Sequence, residues 1–140
     1  MKKNNKGFTL VELIVVLVIL AILAAILTPA LLGYIDRARS EKDYSTAQTV
    51  RVAAQAMIDQ QYGDSTTYSI ATYSGTFDQT TTTYGPKVCG LAGVDPSVVT
   101  AFSFNYRKGI ITSGNVTING HVYVLTEITS GNSTWSVSGN

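Results

Sequence analysis

Lys6-Gly7-Phe8-Thr9-Leu10-Val11-Glu12-Leu13, with apolar residues continuing to Leu27, is the stretch that decides how this chain is built. From Leu13 to Leu27 there are 15 uninterrupted apolar residues, and from Phe8 to Leu32 only Thr9, Glu12, Thr28 and Pro29 break the pattern. As a helix, the 25 residues from Phe8 to Leu32 reach roughly 38 Å, enough to cross a hydrocarbon core of about 30 Å with some tilt. Within that run Glu12 is an expensive residue. A carboxylate at the centre of a membrane helix costs about 3 kcal/mol on insertion scales, so it is a functional hypothesis from the start, and the question is what it pairs with.

The surrounding charge gives the run a direction. Lys2, Lys3 and Lys6 all precede Gly7, so the positive-inside rule keeps residues 1–7 cytoplasmic and sends the rest outward. Setting aside those three of the ten Lys/Arg leaves seven against nine Asp/Glu. The body is therefore mildly acidic, which argues against a general nucleic-acid or anionic-membrane surface. At 140 residues the chain allows one domain and one membrane segment. Cys89 is the only cysteine, so no intrachain disulfide forms, and a body of about 110 residues holds together by packing.

An ordinary secretory signal peptide is the bland alternative. Its apolar core is shorter, carries no charge, and ends at a small-x-small cleavage site. Ala21 to Ala25 supplies small residues, but Glu12 and the length of the run count against it.

The stretch from Lys6 to Leu13 resembles the class III signal sequence of type IV pilins and related pseudopilins. The resemblance covers about 30 N-terminal residues and implies a leader of residues 1–7, cleavage after Gly7 by a prepilin peptidase, and N-methylation of the new terminal residue, Phe8. Glu12, five residues into the mature chain, and Pro29, toward the end of the apolar helix, match the family pattern. Ala21 departs from it, since many members carry glycine there, and alanine makes local loss of helix harder. The resemblance also implies self-assembly into a helical filament, an assembly ATPase and an inner-membrane platform protein as partners, and no cofactor. Pseudopilins of type II secretion usually have a calcium site built from acidic residues near the C-terminus. Here Glu127 is the only acidic residue after Asp95, so the expectation is no metal site.

Cleavage after Gly7 creates an amine on Phe8, four residues from Glu12 and within a helical turn of it. Pairing in an apolar bundle favours one axial register, because any other leaves a buried charge alone. The amine of the same chain or of a neighbour fits. The competing reading is a glutamate that snorkels to the inner interface. Pro29 lacks an amide hydrogen and clashes with the carbonyl four residues back, and Thr28 offers a hydroxyl to a freed carbonyl. A functional bend and a passive kink explain it equally well.

Residues 33–62 read as a continuation of the helix. Leu31, Ile35 and Ala38 keep a helical stripe, and Asp36 to Asp43 holds six charges in eight residues, expected as a solvated turn. Ala47, Val50, Ala54, Met57 and Ile58 then recur at spacings of three and four, an amphipathic face suited to covering a sheet. The helix is expected to stop near Tyr62-Gly63, with Gly63 as its cap. Residues 63–100 are rich in Ser, Thr, Tyr and Gly and read as an irregular loop, with a short strand near Tyr68 to Tyr73 and a helical turn after Asp95.

From 101 to 140 the pattern is β. Phe102, Phe104 and Tyr106 alternate with Ser103 and Asn105, and Asn119-Gly120 between two β-like runs is a strong hairpin signal. Ser-Gly-Asn occurs at 113–115, 130–132 and 138–140, and the first two copies read as turns. Thr134 to Val137 closes the set. The fold class is α+β, the pilin fold: a long N-terminal helix packed on a small antiparallel sheet of three or four strands.

The body shows no P-loop, dinucleotide fingerprint or zinc spacing. His121 stands alone beside a tight turn and reads as a surface strand residue, and Cys89 as a lone thiol. Asn115-Val116-Thr117 and Asn132-Ser133-Thr134 fit a glycosylation sequon, but turn formation accounts for both asparagines. Arg107-Lys108 with Tyr106 are two cations at a solvated turn rather than a nucleic-acid site. The chain thus reads as a non-enzymatic subunit of an extracellular type IV pilus for adhesion, surface motility or colonisation, first held in the cytoplasmic membrane. The alternatives are a pseudopilin of a type II secretion or DNA-uptake machine, and a membrane-anchored binding domain whose N-terminus matches by chance.

Overall fold

The structure, a computed structural model, describes residues 7–67, 69–81, 83–126 and 134–138. The first six leader residues, Tyr68, Glu127, and the Ser-Gly-Asn copies and second sequon that include residues 130–133 and 139–140 lie outside or partly outside them. Two compact units divide at Ser40 and Glu41.

Helix α1, Leu10–Gly63, enters both units and carries Pro29 without interruption. Up to Leu32 its large apolar side chains are exposed all round, as expected of a surface whose solvent is lipid rather than protein. Among the described residues, this is one helix long and apolar enough to cross a membrane. The Thr28 hydroxyl donates to the Ala24 carbonyl at 2.7 Å. The carbonyl that Pro29 frees is that of Ala25, so Thr28 does not repair the gap expected of it but reinforces the turn beside it.

In the second unit α1 turns one-sided. Ala47, Val50, Ala53, Ala54, Met57 and Ile58 are buried against a five-stranded antiparallel sheet in the order β1-β2-β3-β4-β5. The strands are β1 Ser74–Asp78, β2 Val99–Arg107, β3 Ile110–Ile118, β4 His121–Leu125 and β5 Trp135–Val137. The sheet thus has more strands than the three or four expected. The added edge strand begins just after the 68–73 stretch where the sequence suggested one, whereas residues 70–72 form a turn. Between β1 and β2 lie a short 3-10 turn, Gly85–Lys87, and helix α2, Val88–Ala92, neither expected from the composition. After Asp95 a turn forms as anticipated, with the Asp95 carboxylate accepting from the Ser97 amide at 2.8 Å. Gly63 is not a left-handed cap, because α1 ends through the Asp64 amide on the Gln60 carbonyl and the Ser65 amide on the Tyr62 carbonyl.

Ser113-Gly114-Asn115, read as a turn, lies in the middle of β3. Its glycine has a packing role. The register aligns Phe77, Phe104, Gly114, Leu125 and Trp135 as one row across all five strands. A methyl group on Gly114 would strike the Phe104 ring and the Ser103 carbonyl oxygen, so the glycine makes room for the buried phenylalanine opposite.

Polar side chains fix how α1 meets the sheet. Asp43, expected among solvated charges, is 9% exposed and accepts from the Tyr123 hydroxyl at 3.0 Å and the Asn119 amide at 3.4 Å. Gln48 accepts from the Trp135 indole at 2.9 Å. Gln55 donates to the Gly109 carbonyl at 2.7 Å and accepts from the Ile111 amide at 2.9 Å. The Asn119-Gly120 hairpin turn forms with φ of 51° and 83°, and Asp43 ties it to the helix.

Burial, then the hydrogen bond to Asp43, pushes the Tyr123 phenol up to about 12. A raised folded-state value means that Tyr123 stabilises fully below the ordinary phenol range near 10, and that this contribution is lost as pH rises toward about 12. Tyr123→Phe should cost about 1–3 kcal/mol near neutral pH by leaving the buried Asp43 Oδ2 without its donor, while Asn119 still holds Oδ1, read as a lower melting temperature. The variant should also lose part of the stability decline between pH 10 and about 12 that wild type shows. An unchanged melting temperature would remove Asp43–Tyr123 from the forces that hold helix to sheet.

Candidate functional site

The N-terminal segment places the expected site residues in one short stretch. Gly7, Phe8 and Thr9 precede α1 in non-helical backbone, and the helix begins at Leu10. The Gly7–Phe8 bond therefore lies outside the helix and exposed, the condition a protease needs to take the backbone as an extended strand. Glu12 is in the first helical turn, where a carboxylate also complements the helix dipole.

Glu12 has a partner within its own chain that the sequence reading missed. The Thr9 amide donates to Glu12 Oε2 at 2.8 Å, and the Thr9 hydroxyl donates to the same oxygen at 2.8 Å. The Glu12 amide donates back to Thr9 Oγ1 at 3.2 Å. This is a capping box: Thr9 is the N-cap, and Glu12, three residues on, satisfies the amide of the capping residue. The signal was present as Thr-x-x-Glu immediately before an apolar run, hidden because both residues sat inside a longer motif. Both Thr9 donors fall on Oε2, and among the described residues Oε1 accepts no hydrogen bond. Every donor and acceptor of the box belongs to Thr9 or Glu12, and none to residues 1–7.

Pro29 lies inside continuous helix seventeen residues after Glu12. The body contributes little that resembles chemistry. Cys89 is buried in α2, and burial pushes its thiol up, away from the reactive thiolate. His121 is exposed at the start of β4. Among the described residues no group of three His, Cys, Asp or Glu gathers as a metal site would require.

Residues 2–28 match the family described as the prokaryotic N-terminal methylation motif. The match supports a type IV pilin-like precursor, which is a structural subunit rather than an enzyme, and with the apolar helix it supports membrane insertion of that precursor. It stops at residue 28 and makes no statement about the body. No curated protein and no solved structure matches the chain.

Thr9→Val keeps the side-chain shape but removes the hydroxyl that serves both partners. It should weaken the first turn by about 1 kcal/mol, so the Glu12 amide should exchange its hydrogen roughly fivefold faster in detergent micelles. Thr9→Ser should restore wild-type exchange. Equal exchange in Thr9→Val and wild type would show that the box does not hold the helix start.

Proposed function

We propose that this chain is a type IV pilin, cut between Gly7 and Phe8, N-methylated on Phe8, and polymerised through its apolar helix into an extracellular filament. The observation that carries the proposal is the pairing of the methylation motif with a helix whose apolar surface stays uncovered from Leu10 to Leu32. Such a surface is stable in lipid before assembly. It is equally stable against copies of itself afterwards, because neither setting leaves it in water.

Glu12 is then the register device. Its Oε2 is committed to Thr9, and Oε1 is the oxygen for the Phe8 amine of the same chain or of a neighbour. A carboxylate sharing its charge with a capping box and one amine is tolerable in hydrocarbon, and any subunit stagger that loses the amine is disfavoured. Pro29 would loosen the helix where a filament bends or stretches, residues 33–62 continue the filament core, and residues 101–140 form most of the displayed head. The helix stays in the cytoplasmic membrane with its N-terminus inside until an assembly ATPase and a membrane platform protein extract it. Adhesion, surface motility and colonisation are the uses that such a filament serves.

Three measurements on cells that produce the chain test this. Mass spectrometry should find a mature chain that starts at Phe8 and is heavier by one methyl group. Electron microscopy should find long surface filaments, absent when the gene is deleted. Glu12→Ala should be cleaved normally and yield few or no filaments. Filaments that form unchanged with Glu12→Ala would remove the register role. A chain that is cleaved and needed for secretion or DNA uptake, but never forms long filaments, is a pseudopilin.

A further inference from the structure

The β2–β3 hairpin turns through Lys108 and Gly109, with φ of 53° and 75°. This two-residue turn wants left-handed backbone at both positions and favours Asn-Gly, which the chain uses at its other tight hairpin, Asn119-Gly120. Lysine has neither the freedom of glycine nor the local hydrogen bonding of asparagine, so Lys108 is held in a strained conformation.

The strain is held by contacts on every side. Gln55 bridges the Gly109 carbonyl and the Ile111 amide, the Gly109 amide donates to the Tyr73 carbonyl at 2.9 Å, and the Lys108 amide donates to Ser74 Oγ at 3.2 Å. A rigid tip that keeps a strained cation where a relaxed residue would fold better points to the side chain itself.

What surrounds Lys108 defines a surface. Arg107 and Ile110 are cross-strand partners, both exposed, on the sheet face away from α1. Ile110 is 64% exposed, and Ile70, 49% exposed, lies against Gly109. Asp59, which accepts from Gln55, is on the helix side of the sheet. The next row of the outer face is the uncharged, hydrogen-bonded series Thr76–Asn105–Ser113. Among the described residues beyond Asp64 the cations are Lys87, whose ammonium sits 5.7 Å above the Tyr84 ring, and the adjacent pair Arg107-Lys108.

We propose that this hairpin tip, a local cationic exception on a body whose mildly acidic balance disfavours general binding to anionic membranes, docks the body onto an anionic lipid surface, with Arg107 and Lys108 at the headgroups and Ile110 and Ile70 at the boundary below them. A soluble polyanion would satisfy the cations but leave both isoleucines in water, whereas a lipid interface takes both kinds of side chain. Each cation near such a surface contributes about fivefold in affinity, so one tip binds weakly and many copies on one surface bind well. The proposal does not depend on polymerisation.

The test uses the full chain reconstituted by its helix in neutral phosphatidylcholine vesicles, mixed with labelled vesicles containing phosphatidylglycerol. Bridging of the two populations should occur, fall as salt rises, and be absent when the second population is neutral. Lys108→Asn should reduce bridging about fivefold while raising the melting temperature, because asparagine suits the left-handed position. Lys108→Arg should keep bridging, and Arg107→Gln with Lys108→Asn should abolish it. Ile110→Ser should weaken it without changing retention of polyphosphate. The proposal is overturned if neutral vesicles bridge equally, if the double variant bridges like wild type, or if the chain retains polyphosphate but never bridges.

Discussion

Backbone that enters hydrocarbon must find its hydrogen-bond partners within its own segment, and everything else in this chain follows from that constraint. A single helix meets it from Leu10 onward, and because the helix runs on to Gly63 without a break, one element has two jobs. Its first part needs apolar side chains on all sides. Its second part needs them on one side, since the sheet covers only one face. The change is visible as side chains exposed all round up to Leu32 and a buried stripe from Ala47 to Ile58.

The constraint also explains how the sheet is attached. A helix bearing small residues such as Ala47, Ala53 and Ala54 allows close approach but specifies little about angle or register. Specificity comes from three polar side chains on that face. Asp43 holds the Asn119-Gly120 turn, Gln48 the Trp135 indole, and Gln55 the opposite hairpin at Gly109 and Ile111. Each places a polar atom where a slip along the helix would bury it unpaired, at a cost comparable to several apolar contacts. Position along α1 is thereby set at both ends of the strands.

These anchors are the part that the sequence hid. Periodicity predicts which face of a helix is buried because burial of apolar groups repeats, and the stripe from Ala47 to Ile58 was legible for that reason. It does not predict a buried Asp43, whose local setting of alternating charges is indistinguishable from a solvated turn until Tyr123 arrives from 80 residues away. Gly114 failed for a related reason. Ser-Gly-Asn is turn chemistry by composition, and only the register that sets Gly114 against Phe104 shows the glycine to be a space for a ring. The Asn119-Gly120 turn succeeded because its conformation is written into two adjacent residues. Lys108-Gly109 makes a similar turn from a lysine, with the tertiary contacts holding what local preference resists.

The N-terminal site shows local and long-range logic on one side chain. Glu12 appears at first to be a charge awaiting a distant partner, yet Thr9 already supplies two donors to it. That lowers the cost of carrying the carboxylate in an apolar helix even with no cation beside it. It also changes what the proposed cleavage would accomplish. In the proposed function the new amine would meet not an orphan charge but a carboxylate whose rotation the capping box fixes, with Oε1 turned to no other donor among the described residues. A carboxylate free to rotate could follow a misplaced neighbour, whereas one fixed by Thr9 penalises the error. The precision of any Glu12-based register is therefore set by Thr9.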